Sequence, residues 1–224
     1  MSKAEPNNGY VISFLTLRKT VGILGMVLPF VLWIGHLLFE KSCTFPPSIS
    51  HFYYTNMGNL FVGVLCAVSL FLFAYNGYDE KDKWSAKLGG LFAACVAMFP
   101  TDYNSYAAVD CSRIARVENA FFNTMHYGAS VLLFVTFAYF SLFLFTKTKQ
   151  TGDVKGNKRI RNRIYIICGV VIVVSISSIA LIGIIPSWYK ALSHLKPIFV
   201  LETIALLAFG YSWLIKGETF FKDE

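Results

Sequence analysis

The chain has 224 residues, of which 55% are hydrophobic and 15% charged, where soluble domains average roughly 45–50% and 25%. A soluble fold of this size could not hide that much apolar side chain, so the composition excludes a soluble enzyme and a disordered chain alike. Twenty Lys and Arg against 13 Asp and Glu leave a net charge of +7. The excess sits in segments flanking apolar runs, which speaks against nucleic acid and for a membrane.

A transmembrane helix needs about 20 mostly apolar residues. Stretches that are nearly free of charge predict six spans, at about 20–39, 52–78, 84–101, 115–146, 164–187 and 197–216. The first carries no small-residue cleavage site after it and is read as a retained helix, with Tyr10–Leu17 lying along the interface before it. The apolar residues run continuously, as in Leu132–Phe145, so the spans are helices and not barrel strands. The predicted fold is all-α: one polytopic six-helix transmembrane bundle over 20–218, with an N-terminal segment 1–19 and a short tail 219–224. The third span carries Gly89, Gly90, Ala93, Ala94 and Ala97, a small-residue face that lets neighbouring backbones approach; it is expected to be the buried central helix.

Six spans put both termini on one side. That side holds 15 of the 20 basic residues, which places both termini in the cytoplasm of a multi-pass protein of the inner (plasma) membrane. The segment Lys147–Arg163 carries seven of them beside a single acid, Asp153. It is expected to anchor the topology and to meet anionic lipid headgroups.

Five cysteines are present. Cys66, Cys95 and Cys168 fall inside spans and read as small packing hydrophobes. Cys43 and Cys111 fall in outer loops, where disulfides are permitted. They could form a bridge, or they could be two unrelated thiols.

Ionisable groups inside a span are costly and mark sites by default. On the fourth span Asn119, Asn123, His126 and Ser130 are spaced +4, +3, +4, which is one helical face, and Arg116 extends it outward. Beyond Ser130 that face turns apolar, so the stripe describes a cleft open only to the outside. On the second span Ser48, His51, Thr55 and Asn59 repeat the pattern, with Ser50 and Tyr54 beside them. Glu202 lies five residues after Pro197, about 7.5 Å into the last span, and Asp102 follows Pro100 at the end of the third.

These groups share one depth. His51, Asp102, His126 and Glu202 are the predicted catalytic set, with Ser48, Ser50, Tyr54, Arg116, Asn119 and Asn123 as substrate-binding residues. His51, His126 and Glu202 could hold a divalent metal such as Zn, or the set could work as acid and base. There is no HExxH, Cys-x-x-Cys, phosphate loop or G-x-S-x-G elbow.

Four stretches, Ser48–Gly63 (SISHFYYTNMGNLFVG), Phe99–Asp102 (FPTD), Tyr139–Thr148 (YFSLFLFTKT) and Pro197–Glu218, together with RNRIY at Arg161–Tyr165, resemble a family of small bacterial six-helix membrane proteins known as a domain of unknown function. That resemblance implies a fold and no activity. A fainter likeness joins Ser48, His51 and Asp102 to the alkaline ceramidase and progestin-receptor membrane hydrolases, which have a zinc-binding His pair on the last helix. Here the last helix carries Glu202 and no His pair, and six spans stand in place of seven. The expected function is a membrane-embedded hydrolase or transferase acting on a lipid or lipid-linked substrate from the outer side. The alternatives are a pocket that binds or transports a small ligand or ion, and an accessory or sensor subunit of a membrane complex.

Overall fold

A computed structural model describes residues 13–40, 43–77, 79–102, 119–147 and 156–220. These residues form seven α-helices and no strand: α1 (Phe14–Phe39), α2 (Gly58–Ala74), α3 (Glu80–Met98), α4 (Ala120–Tyr139), α5 (Asn157–Ile184), α6 (Pro186–Leu192) and α7 (Pro197–Lys216). A short 3-10 turn, Ser50–Tyr54, precedes α2, and a π-helical turn, Phe140–Leu144, prolongs α4. Counting that turn with α4, four helices (α1, α4, α5 and α7) are long and apolar enough to cross a membrane, and α2 is a shorter apolar helix.

The helix ends follow local chemistry. The Ser13 hydroxyl caps α1 by accepting from the Thr16 N–H, so the helix starts at Phe14 and residues 14–19 are its first turns, while residues 10–12 lie outside the described residues. The Asp79 carboxylate caps α3 in the same way, accepting from the Asp82 N–H at 2.9 Å. The second predicted span is interrupted: Thr55–Met57 separates the 3-10 turn from α2, so Ser48, His51, Thr55 and Asn59 do not share one helical face, and Asn59 is exposed. The predicted loop before the last helix contains α6, which begins with Pro186 at the first helical position.

Six long helices pack as a ring in chain order, with α1 against α2, α2 against α3, α3 against α4, α4 against α5, α5 against α7, and α7 closing on α1. The small-residue face of α3 does permit close approach, since Ser69 of α2 donates its hydroxyl to the Gly90 carbonyl at 2.7 Å. The helix is nevertheless a member of the ring and not its centre, because Trp84, Leu88, Leu91 and Met98 of its outer face are exposed. Where α1 meets α7, Gly22 and Gly210 face each other: a Cβ on Gly210 would fall 2.5 Å from the Gly22 carbonyl oxygen. Elsewhere large apolar side chains cover the outside, among them Phe30, Trp33, Ile34 and Leu37 of α1, a surface far more apolar than water-facing helices carry.

Each end of the ring is tied by polar contacts. At the end where α1 starts and α7 finishes, the buried Arg18 guanidinium donates to the Lys216 carbonyl and to the Tyr75 hydroxyl, both at 3.2 Å. Beside it Trp213, fully buried, packs against the rings of Tyr75, Phe140, Phe145 and Phe209 at 5.3–5.8 Å. Lys147 donates to Asp79 at 2.8 Å and to Asp82 at 2.9 Å, and this pairing holds the exposed Asp79 carboxyl below its ordinary range. Lys147 and the buried Arg161 are therefore engaged within the fold, which leaves fewer of the predicted headgroup cations available. At the opposite end the buried His36–Glu40 pair, 2.9 Å apart, receives the Asn56 N–H on the second Glu40 oxygen and fastens the α2 entry to α1.

Candidate functional site

The end of the ring away from the termini holds a cavity of about 530 Å³. Its polar wall is made by Ser48, Ser50 and His51, with Thr101 after α3, His126 and Ser130 of α4 and Glu202 of α7. Its apolar wall is made by Val131 and Phe134 of α4, by Ile176, Ile179, Ala180 and Ile184 of α5, and by Ile198 of α7. Five of the predicted residues, Ser48, Ser50, His51, His126 and Glu202, thus line one space although they come from segments far apart in the chain.

The segment Pro47–His51 is held by the first turns of α7. The Phe199 N–H donates to the Pro47 carbonyl at 3.1 Å, and the Glu202 carboxylate accepts the Ile49 N–H at 2.6 Å. Between those two bonds sits Ser48, whose hydroxyl lies 2.6 Å from His51 Nδ1. Both residues are buried, each 5% exposed. The ring of His51 also hydrogen-bonds the Asp102 backbone, and the Asp102 carboxylate lies within electrostatic reach. A ring nitrogen that meets a carbonyl must carry the hydrogen. Nδ1, facing Ser48, is then the acceptor of the serine proton. His51 lies outside the spanning helices; burial, aided by the nearby His126 imidazole, pushes its pKa down to about 4 against the opposing pull of Asp102. At neutral pH the imidazole is uncharged and able to accept a proton.

His126 lines the other side. It is 2% exposed, and its Nδ1 meets the Phe99 carbonyl at 2.7 Å, so the end of α3 orients it. The buried Ser130 hydroxyl on the same face has no hydrogen-bond partner among the described residues.

Several sequence expectations meet different roles. Asp102 reaches His51 through its backbone, and its own N–H donates to Asn123 Oδ1 at 3.1 Å. Asn123 is thereby a tie between α4 and the end of α3, and it does not line the cavity. Tyr54 is fully buried and its hydroxyl donates to the Thr101 carbonyl at 2.6 Å, which fixes a residue of the cavity wall without Tyr54 itself lining the cavity. Asn119 caps α4, accepting from the Phe121 and Phe122 N–H groups. Arg116 and Cys111 lie outside the described residues, while Cys66, Cys95 and Cys168 are free thiols.

The expected metal set, His51, His126 and Glu202, is not gathered into a ligand group. Among the described residues no three His, Cys, Asp or Glu side chains come together as a metal-holding group. His51 and His126 face the same cavity, but His51 Nδ1 is turned to Ser48, His126 Nδ1 to Phe99 and a Glu202 oxygen to Ile49. Those bonds use one ring nitrogen of each imidazole and one oxygen of Glu202.

Two contributions were not foreseen. The whole apolar wall from α5 was missed because Ile176–Ile184 looks like any lipid-facing stretch, and Ser130 stood in the polar stripe of α4 without being singled out. The pairing of Ser48 with His51 at i, i+3 was the available signal for a nucleophile and base. No family model matches the chain, and neither a characterised protein nor a solved structure is significantly similar to it.

Proposed function

We propose that the protein is a six-span protein of the plasma membrane, both termini cytoplasmic, whose outer cavity hydrolyses or transfers an acyl ester by way of Ser48 and His51. The observation that carries the reading is the 2.6 Å contact of the Ser48 hydroxyl with a buried imidazole in a cavity wall. A serine is a weak nucleophile until a base within about 2.6–3.2 Å takes its proton. His51 Nδ1 does so as Ser48 Oγ bonds to the carbonyl carbon. The proton then passes to the leaving alkoxide as the ester C–O bond breaks. Water, deprotonated by the same imidazole, releases the acid from the acyl-serine and restores the hydroxyl. Asp102 steadies the ring through its backbone, Glu202 holds the turn that carries Ser48, and Ser130 offers a hydroxyl donor to the substrate.

A second reading is a binding pocket without chemistry. It is favoured by the His51 N–H, which donates to Ser48 Oγ at 3.3 Å, so that Ser48 also serves as a cap for the 3-10 turn.

A fluorophosphonate probe separates the two. Under the hydrolase reading the purified protein is labelled on Ser48, as located by peptide mass spectrometry, and His51→Ala is not. A protein that binds ester analogues yet never takes the label fits the second reading. The acid limb of turnover provides another test. Because the His51 pKa is pushed down to about 4, kcat/KM for a neutral ester stays flat from pH 8 to about 5 and halves near pH 4. A limb near the ordinary imidazole value of 6.5 would reject His51 as the buried base. Stability follows the same sign: the native state binds fewer protons than the unfolded chain between about pH 4 and 6.5, so it loses stability as pH falls through that window.

A further inference from the structure

We infer that the cavity takes a single acyl chain, delivered sideways through the cleft between α4 and α5, with its polar head against Ser48 and His51. The head chemistry rests on the hydrolase reading; the chain site stands on separate observations.

The two walls of the cavity differ in kind. Every cavity side chain contributed by α5 (Ile176, Ile179, Ala180 and Ile184) is apolar. A small polar solute or ion would leave that wall unmatched, whereas an amphiphile satisfies both walls at once. The apolar wall is also continuous with the outside of the ring: Val131 is 50% exposed and Ile184 75% exposed while both line the cavity. These residues belong to helices that are apolar enough to cross a membrane, so this opening faces hydrocarbon.

Size limits the occupant. On α4 the lining runs from His126 to Phe134, and on α5 from Ile176 to Ile184, each about 12 Å along the axis at ~1.5 Å per residue. A volume of about 530 Å³ falls in the ~300–1,000 Å³ range of sites that take one small ligand. It admits one chain with its carbonyl and not a whole two-chain lipid. Because a chain leaving lipid for an apolar wall gains little, the wall sets which molecules enter and the polar end sets which are held.

Gly183 gives access to a test. It lines the cavity, and a Cβ added there would meet nothing within 4 Å. Phenylalanine at this position therefore fills the chain region without colliding with backbone. Gly63 of α2 has equally open surroundings and lies away from the cavity, so Gly63→Phe is the control.

The experiment photolyses a diazirine-bearing palmitic acid methyl ester with the protein in phosphatidylcholine vesicles and maps the adducts by peptide mass spectrometry. It is carried out on the Ser48→Ala protein, so that turnover plays no part. Adducts are expected on Val131, Phe134 and Ile176–Ile184, and Gly183→Phe should lower them about tenfold, with Gly63→Phe unchanged. Adducts spread evenly over outward residues such as Ile34 and Leu37, indifferent to Gly183→Phe, overturn the chain site. Retained cavity adducts in Ser48→Ala, together with a wild-type protein that fluorophosphonate never labels, uphold the chain site and remove only the hydrolase reading. Should Gly183→Phe not fold, Gly183→Leu gives the same test with a partial block.

Discussion

Replacement of Ser48 by alanine is expected to lower kcat/KM for an acyl ester by about 10³-fold or more, and His51→Ala by a similar factor, with the double variant scarcely worse than either. Non-additivity is the telling feature, because a nucleophile and its base act as a unit. Ser48→Thr should recover part of the loss, since it restores a hydroxyl opposite Nδ1. The measurement is steady-state hydrolysis of a p-nitrophenyl ester in detergent, beside a thermal melt of each variant. Additive losses that follow the melting temperatures would show a cap and not a catalyst. Glu202→Gln is expected to behave differently: its oxygen can still accept the Ile49 N–H that it now meets at 2.6 Å, so the variant keeps most of its activity.

Gly210→Leu is expected to have the largest effect on stability. The new Cβ would stand 2.3 Å from Met26 Cγ and 2.5 Å from the Gly22 carbonyl oxygen. A backbone oxygen cannot move aside as a side chain can, so α1 and α7 must separate. Overpacking costs about 1–3 kcal/mol where the core can relax, occasionally more, and the seam that closes the ring leaves little room to do so. At roughly 2–4 °C per kcal/mol for a chain of this length, a melt in detergent should fall by about 6 °C or more. Gly63→Leu, whose Cβ meets nothing, should leave the melt unchanged or slightly raised by better helix propensity. Equal behaviour of the two variants would mean that the close approach contributes nothing.

Much of the architecture was legible from apolar run length, since a bilayer demands a nearly fixed number of residues per helix. The last span, drawn from a nearly charge-free stretch at about 197–216, coincides with α7, Pro197–Lys216, whose ends are marked by Pro197 and Gly217. Boundaries failed where polar residues belong to helices. Arg18 lies inside α1, which charge counting began only at Thr20, and Lys158, Arg159 and Arg161 lie inside α5. Charge says where a helix leaves hydrocarbon, and the backbone hydrogen bonds continue past that point.

The candidate site was half legible. A polar side chain in an apolar run is costly wherever it lies, and so His126 and Glu202 drew notice on sequence grounds alone. Partners were another matter. Asn119, Asn123 and Tyr54 are polar residues at the same depth, yet each is used by nearby backbone, at the α4 cap, the Asp102 N–H and the Thr101 carbonyl. Periodicity reports which face a residue occupies, and only the packing of other chain segments reports what that face meets.

The sequence by itself determined that this chain is a bundle of apolar helices with costly polar groups clustered toward one end, because composition, run length and side-chain cost are properties of single segments. Tertiary structure alone decided that α7 reaches across to hold Ser48 beside His51, that His51, His126 and Glu202 each bond to a neighbour while lining one cavity, and that α5 supplies an apolar wall. Those outcomes depend on contacts between residues as far as 153 positions apart, and no local pattern encodes which carbonyl, hydroxyl or methyl group will arrive at a given ring nitrogen.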